Sequence, residues 1–176
     1  MLSENKTITI LSVLAAILFV FAFFMVIFYA PIEVNMGLVQ KVFYFHMSAA
    51  WVGMLAFLMA AVFGILYLVH KDLKWDRLIA SSVEIGLLFT VICILSGMIW
   101  ARPIWNTWWT WDPRLTTVTI MAFTYIAFIL LRRSMDEPSK RAQFSAIYAI
   151  IGFVTVPLTF FSARLLLTIH PVIFGS

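Results

Sequence analysis

The sequence predicts an all-α integral membrane protein, and three observations lead to that fold class. Hydrophobic residues make up 64% of the 176 residues and charged residues only 11%, whereas soluble domains average about 45–50% and about 25%. Several apolar runs reach the length of about 20 helical residues that a bilayer requires. Basic residues are concentrated in alternate connections between those runs. With the chain length, these features predict one transmembrane domain over residues 1–176.

Five apolar runs are the predicted membrane-spanning helices. They lie near residues 8–30, 43–69, 78–100, 113–131 and 142–163. The first run is longer than the apolar region of a signal peptide, which has about 7–15 residues, so we expect a retained helix. Asp112 and Pro113 suit the N-cap and the first position of helix 4. Pro157 predicts a kink near the outer end of helix 5, after which residues 158–169 would follow the membrane surface.

The distribution of lysine and arginine predicts the orientation of the helices. If the helices alternate in direction, most basic residues lie on the side of the N-terminus: Lys6, Lys71, Lys74, Arg77, Arg132, Arg133, Lys140 and Arg141. The opposite side has only Lys41, Arg102, Arg114 and Arg164. Because cytoplasmic loops carry an excess of basic residues, the N-terminus is predicted to be cytoplasmic. The connection between helices 3 and 4 then faces outward, to the periplasm, as does the C-terminus.

The residues from Trp105 to Thr116, here called the tryptophan segment, form that outward connection and the start of helix 4. Trp105, Trp108, Trp109 and Trp111 are four of the seven tryptophans in the chain. Four indoles offer a broad apolar surface with N–H donors at its edges, which suits a large planar ligand. An interfacial belt is the alternative, because tryptophan is enriched where membrane meets water.

Two histidines are predicted to lie on the same outer face. His46 lies about one turn into helix 2, and His170 follows helix 5. Imidazole is a common ligand of haem iron, although either histidine alone is equally well explained as a hydrogen-bonded anchor. Arg102 and Arg114 flank the tryptophan segment and suit the haem propionates, since arginine binds carboxylates in bidentate fashion. For Arg114, an interfacial position or a pair with Asp112 is the alternative.

The remaining polar residues give little indication of a functional site. His70 is expected to be a solvated residue at a helix end, and a zinc site would need three or four ligands. Glu84 lies within helix 3, where a hydrogen bond between helices is favoured over a proton path. Cys93 is the only cysteine and is expected to be buried and inert. The chain has no C-x-x-C-H motif for covalent haem attachment and no nucleic-acid motif.

The tryptophan segment closely resembles the WWD signature of the haem-handling proteins of cytochrome c maturation. The match runs from Trp105 through Asp112 and continues over residues 113–116. The small size and the two flanking histidines are most similar to the CcmC family. This resemblance implies a membrane protein, usually of six helices, whose WWD loop lies on the outer face. Its two external histidines would be the axial ligands of one non-covalently bound haem b per chain.

Residue by residue, His46 and His170 match the ligands that precede and follow the motif in this family. The motif itself is matched by Trp108, Trp109, Trp111 and Asp112. Asn106 stands where the motif usually has glycine, which affects the backbone of the loop rather than its stacking surface. A sixth helix usually follows the second histidine, whereas only six residues follow His170. A naturally short member and a truncated one are both compatible with that ending.

The resemblance implies a haem-transfer protein rather than an enzyme. Such a protein holds haem at the outer face of the bacterial cytoplasmic membrane and delivers it to a membrane-anchored haem chaperone of the CcmE type. The implied partners are a CcmA–CcmB ATP-driven transporter and a small CcmD subunit. Three alternatives remain: a haem-attaching subunit of a cytochrome c synthase, a bis-histidine electron-transfer cytochrome b, and a scaffold subunit that its tryptophans merely anchor.

Overall fold

The computed structural model of the protein describes residues 2–170 and consists of helices. They are α1 (Leu2–Phe24), which continues as a π-helical turn (Met25–Tyr29), α2 (Gln40–His70), α3 (Leu73–Trp105), α4 (Pro113–Arg133), α5 (Pro138–Gly152) and α6 (Thr155–Leu165). Apart from one isolated β-bridge between Glu33 and Gly37, the described residues contain no strand. Within residues 2–170, five stretches are long and apolar enough to cross a membrane, with α5 and α6 forming one of them. The prediction of an all-α protein with five membrane-spanning helices is confirmed.

Helices α2 and α3 extend beyond their apolar runs because the turn between them is very short. Lys71 adopts a left-handed conformation (φ 56°), and its N–H donates to the carbonyl of Tyr67 at 2.8 Å. Asp72 then caps α3 by accepting a hydrogen bond from the N–H of Lys74 at 2.8 Å. These bonds satisfy backbone groups that helix ends leave free. The charged residues around the turn are therefore helical, which an apolar run does not show.

The fifth predicted helix is interrupted at residues 153–154, where Pro157 is expected to disturb it, because a proline clashes with the carbonyl of the residue four positions earlier and has no N–H to donate. Helix α5 ends at Gly152, and α6 begins at Thr155 with Pro157 as its third residue. A proline is tolerated in the first turn of a helix because no intrahelical acceptor is needed there. Helix α6 packs against α4. Residues 158–165 belong to α6, which ends at Leu165. That residues 158–169 follow the membrane surface stays a prediction.

Helix α2 packs against both α3 and α5. Small residues permit this approach: a Cβ on Gly64 would lie 2.8 Å from the carbonyl oxygen of Ala146. In the core, the ring of Phe57 stacks on Tyr125 with centroids 3.6 Å apart. Both side chains are fully buried. By contrast, α1 exposes nearly all of its apolar side chains, and the π-helical turn that follows it touches α2.

An ion pair joins three helices at the end of the bundle opposite the tryptophan segment. The guanidinium of Arg132 in α4 donates to both carboxylate oxygens of Asp76 in α3, with Nη2 to Oδ2 at 2.9 Å. It also donates to the hydroxyl of Ser145 in α5. Asp76 is only 3% exposed. A buried charge needs such a bidentate partner, and this pair therefore sets the relative positions of α3, α4 and α5 at this end.

Candidate functional site

A largely apolar pocket opens at the end of the bundle that carries the tryptophan segment. It encloses about 840 Å³, the space at its mouth included. Helices α2, α3, α4 and α6 provide its walls. The polar and aromatic groups that matter for its chemistry are His46, Trp105, Trp108, Trp109, Arg114 and His170. An apolar pocket with a few convergent polar groups is typical of a site for a small molecule or cofactor.

His46 is held in one orientation by α3. Its Nδ1–H donates to the carbonyl oxygen of Cys93 at 2.9 Å, because a carbonyl can only accept. In the neutral ring, the second nitrogen, Nε2, then carries the lone pair. Gly97 makes room for the ring, since a Cβ there would lie 2.9 Å from Cε1 of His46. A neutral imidazole fixed through Nδ1 by a backbone carbonyl is the usual arrangement of a metal-ligating histidine.

His170 reaches the pocket on a short segment that follows α6. Its backbone N–H donates to the hydroxyl of Thr168 at 3.1 Å, and that hydroxyl donates to Oδ2 of Asp112. The imidazole packs edge-on against Trp105, with ring centroids 5.1 Å apart. Nδ1 lies 3.8 Å from Oδ2 of Asp112, beyond hydrogen-bond distance, and has no partner within residues 2–170. Burial outweighs the attraction of this carboxylate and lowers the pKa of His170 to about 4, so the imidazole is neutral at pH 7.

Asp112 links the tryptophan segment to α4 and to the segment that carries His170. Its Oδ1 accepts a hydrogen bond from the N–H of Leu115 at 3.2 Å, as expected for the N-cap of α4. Its Oδ2 accepts from Thr168. The predicted capping role of Asp112 is confirmed, and the contact with Thr168 brings residues that are far apart in the sequence to the same carboxylate.

The tryptophans divide into pocket residues and surface residues. Trp105, Trp108 and Trp109 line the pocket, whereas Trp111 is 72% exposed and packs edge-on against Trp109 at 5.7 Å. Trp100, which the sequence did not indicate as a site residue, also lines the pocket, is 3% exposed and contacts Trp105 at 5.0 Å. In the described part of the chain, Nε1 of Trp100 and of Trp109 is buried without an acceptor. Such donors are normally satisfied by a ligand or by water.

The two predicted arginines differ in position. Arg114 lines the pocket, and its Nη1 donates to the carbonyl of Phe160 at 3.5 Å. Arg102 is not among the pocket residues, and its Nη1 donates instead to the carbonyl and the side-chain oxygen of Asn106 at 2.7 and 2.5 Å. Asn106 is left-handed (φ 55°) and ends α3. Asparagine tolerates that conformation best after glycine, which explains how it replaces the usual glycine of the motif.

Cys93 and Gly97 belong to the site, although neither was identified as a site residue from the sequence. Cys93 lines the pocket, and its Sγ lies 3.6 Å from Nδ1 of His46. The expectation of a buried, inert cysteine did not include this contact. Only the pairing of α2 with α3 reveals it. For metals other than haem iron, residues 2–170 contain no group of three or more histidine, cysteine or acidic side chains close enough to hold an ion.

The donor set of the pocket fits haem. Two imidazoles would provide nitrogen ligands for the iron, and one guanidinium would pair with a propionate. Aromatic and aliphatic walls suit the apolar part of the ring. The two buried indole nitrogens, of Trp100 and Trp109, have no acceptors within the described residues, which leaves N–H donors for a polar ligand edge or for water; Nδ1 of His170 also has no partner there.

Comparison with known proteins gives a family match over nearly the whole chain. Residues 1–172 match the family described as "CcmC: Heme exporter protein C". The protein named "Heme exporter protein C" in Bradyrhizobium diazoefficiens is 31% identical over 141 residues, which cover 80% of this chain and 54% of that protein. Its namesake in Escherichia coli K12 is 30% identical over 142 residues, covering 81% of this chain and 58% of that protein. The chain thus spans little more than half the length of these relatives.

Proposed function

We propose that this chain, which belongs to the CcmC family, binds one haem b non-covalently in the pocket beside the tryptophan segment and passes it to a haem chaperone. The observation that carries the proposal is that His46 and His170 line one pocket, although they are far apart in the sequence. The names of the relatives support a role in haem handling during cytochrome c maturation. They support transfer rather than catalysis.

Each pocket residue has a distinct task in this proposal. His46 and His170 ligate the iron, and both offer a neutral imidazole for it. Trp105, Trp108 and Trp109 cover the apolar part of the ring. Arg114 binds a propionate. Haem, when bound, would supply an iron that accepts imidazole nitrogens and an anionic propionate edge.

The two proposed ligands are held with different firmness, which suits a protein that must release what it binds. His46 lies within a long helix that packs along α3. His170 lies on a non-helical segment that side-chain hydrogen bonds attach to Asp112. Trp108 is 54% exposed, so the pocket is also accessible from outside. Site residues on a loop exchange their contacts more readily than those on a packed helix, so His170 would be the more readily released of the two ligands.

The membrane setting is part of the same proposal. The tryptophan segment faces the periplasm and the N-terminus the cytoplasm of the bacterial inner membrane, because the basic residues are concentrated at the opposite end of the bundle. Family membership supports a CcmE-type chaperone as acceptor, with CcmA, CcmB and CcmD subunits as partners in the complex. Arg102 and Trp111 lie outside the pocket lining, where they are available to an incoming partner.

The test is haem binding by the purified full chain, followed by absorption spectroscopy. The double variant His46→Ala with His170→Ala is expected to lose the spectrum of six-coordinate haem and most of the bound haem. His70→Ala is the matched control, since His70 hydrogen-bonds to its own helix at Leu66 and lies outside the pocket. If the double variant retains haem with the spectrum of the unmodified protein, the ligand assignment is wrong. Transfer is tested by adding a CcmE-type chaperone to the haem-loaded chain and following haem into the chaperone.

A further inference from the structure

A second pocket lies at the opposite end of the bundle, between α3, α4 and α5. It encloses about 390 Å³, the space at its mouth included. Its lining residues are Ala80, Glu84, Phe128, Ile129, Arg132, Arg133 and Arg141. Three arginines thus meet where α4 ends and α5 begins. The proposed haem-handling function does not use any of these residues.

One of the three arginines has its charge balanced within the protein. Both terminal nitrogens of the Arg132 guanidinium donate to the carboxylate of Asp76, and Nη1 also donates to the hydroxyl of Ser145. It therefore forms a fixed wall of the pocket. Its positive charge is compensated by a buried carboxylate only 3% exposed.

The other two arginines have no such partner. In the described part of the chain, neither Arg133 nor Arg141 forms an ion pair or a hydrogen bond through its side chain. The Nε of Arg141 is buried and has no acceptor among residues 2–170. A buried guanidinium donor without an acceptor is unfavourable, so this N–H calls for an acceptor from outside the chain, and an anion bound at the guanidinium would provide one.

Glu84 supplies the only carboxylate in the lining, and it does not neutralise the pocket. It lies deeper in α3 than the arginine positions and forms no ion pair with Arg133 or Arg141 within 4.0 Å. Two uncompensated guanidinium groups therefore face one carboxylate. The net charge of the pocket favours an anion at its arginine end.

We propose that this pocket binds a phosphate group, and that the phosphate belongs to the headgroup of an anionic phospholipid. Guanidinium groups bind phosphate in bidentate fashion. The arginines lie at the ends of membrane-spanning helices, the level at which headgroups lie, and basic pockets between such helices bind anionic headgroups. Phe128, Ile129 and Ala80 provide an apolar wall for the first part of an acyl chain. This site is separate from the haem pocket and does not depend on it.

The test measures which phospholipid the purified full chain retains. The protein is incorporated into mixed vesicles of phosphatidylglycerol and phosphatidylcholine, extracted, and analysed by mass spectrometry for the ratio of bound lipids. The double variant Arg133→Gln with Arg141→Gln is expected to lower the preference for phosphatidylglycerol about 30-fold. Arg77→Gln with Lys140→Gln is the matched control. It removes the same charge at the same end of the bundle, but neither residue lines the pocket.

Glu84→Gln is expected to change the preference for phosphatidylglycerol in the opposite direction from the arginine double variant. Removing the carboxylate from the pocket should strengthen the retention of phosphatidylglycerol. An unchanged preference in the arginine double variant, or an equal loss in the control, overturns the proposal. If the chain shows no lipid preference but binds inorganic phosphate through the same two arginines, the phosphate chemistry is supported and the lipid source is rejected. The helical circular dichroism of every variant is compared with that of the unmodified chain to establish folding.

Discussion

The hydrogen bond between Thr168 and Asp112 offers a way to measure how strongly His170, the second proposed ligand, is held at the pocket. In Thr168→Val the side chain keeps its branched shape but loses its hydroxyl. Oδ2 of Asp112 then loses a donor, and the backbone N–H of His170 loses its acceptor. The N-cap bond from Leu115 to Oδ1 of Asp112 is not touched. The substitution therefore acts on the segment that carries His170 and leaves α4 in place.

The size of the effect follows from the charge of the acceptor. A hydrogen bond to a charged group stabilises a structure by about 1.5–3 kcal/mol, and we take about 2 kcal/mol as a central value. That free energy corresponds to a change of about 30-fold in the equilibrium constant between the states with His170 at the pocket and away from it. If only the state with His170 at the pocket binds haem through both histidines, the apparent affinity for haem falls by at most that factor.

The assay is a titration of the purified protein with haem, followed by absorption spectroscopy. Thr168→Val should bind haem more weakly, by up to about 30-fold, and show an increased five-coordinate component, since His46 remains as a ligand. Thr119→Val is the control, because the hydroxyl of Thr119 donates only to its own helix at Leu115. An affinity and a spectrum of Thr168→Val equal to those of the control would refute the reasoning. His170 would then be held by its contact with Trp105 instead.

Two further substitutions test the packing around the site and the opposite end of the bundle. Gly97→Ala would place a Cβ 2.9 Å from the ring of His46. Such overpacking costs about 1–3 kcal/mol, so the imidazole should move away from the new methyl group. Haem binding in the same titration should then weaken about tenfold. Gly53→Ala, whose Cβ would meet nothing closer than 3.4 Å, should bind normally, and equal affinities for the two variants would contradict the prediction. Asp76→Asn leaves the half-buried guanidinium of Arg132 without its counter-charge, which should lower the free energy of unfolding by about 3–5 kcal/mol. A thermal melt in detergent measures this loss, and an unchanged melting temperature would show that the ion pair does not stabilise the bundle.

The fold class and the side of the membrane shared by the site residues followed from simple rules. Apolar runs of sufficient length predict helices, and alternating helices place the start of the second run and the end of the fifth at the same end of the bundle. That alternation brings His46 and His170 to one end before any packing is known. The helix ends were less predictable, because the charged residues around Lys71 and Asp72 are helical only through the caps they form.

The composition of the pocket depends on register, which a single sequence does not contain. Cys93 and Gly97 contact His46 because of how α2 and α3 are aligned along their length. Arg102 and Arg114 look equivalent in the sequence, since each flanks the tryptophan segment. They differ in the structure because Asn106 ends α3 in a left-handed conformation and accepts both bonds from Arg102.

The interruption between α5 and α6 is a point at which a small rotation would displace the end of α6, the helix that precedes His170. Helix α6 has 11 residues, so at 1.5 Å per residue it is about 16 Å long. A rotation of about 10° at residues 153–154 would move its far end by about 3 Å, given that length. Metal–ligand distances vary by only about 0.2 Å. If His46 and His170 ligate the iron as proposed, a rotation of this size that also carries residues 166–170 would lengthen the distance between His170 and the iron by more than this tolerance, while His46 stays in place on α2.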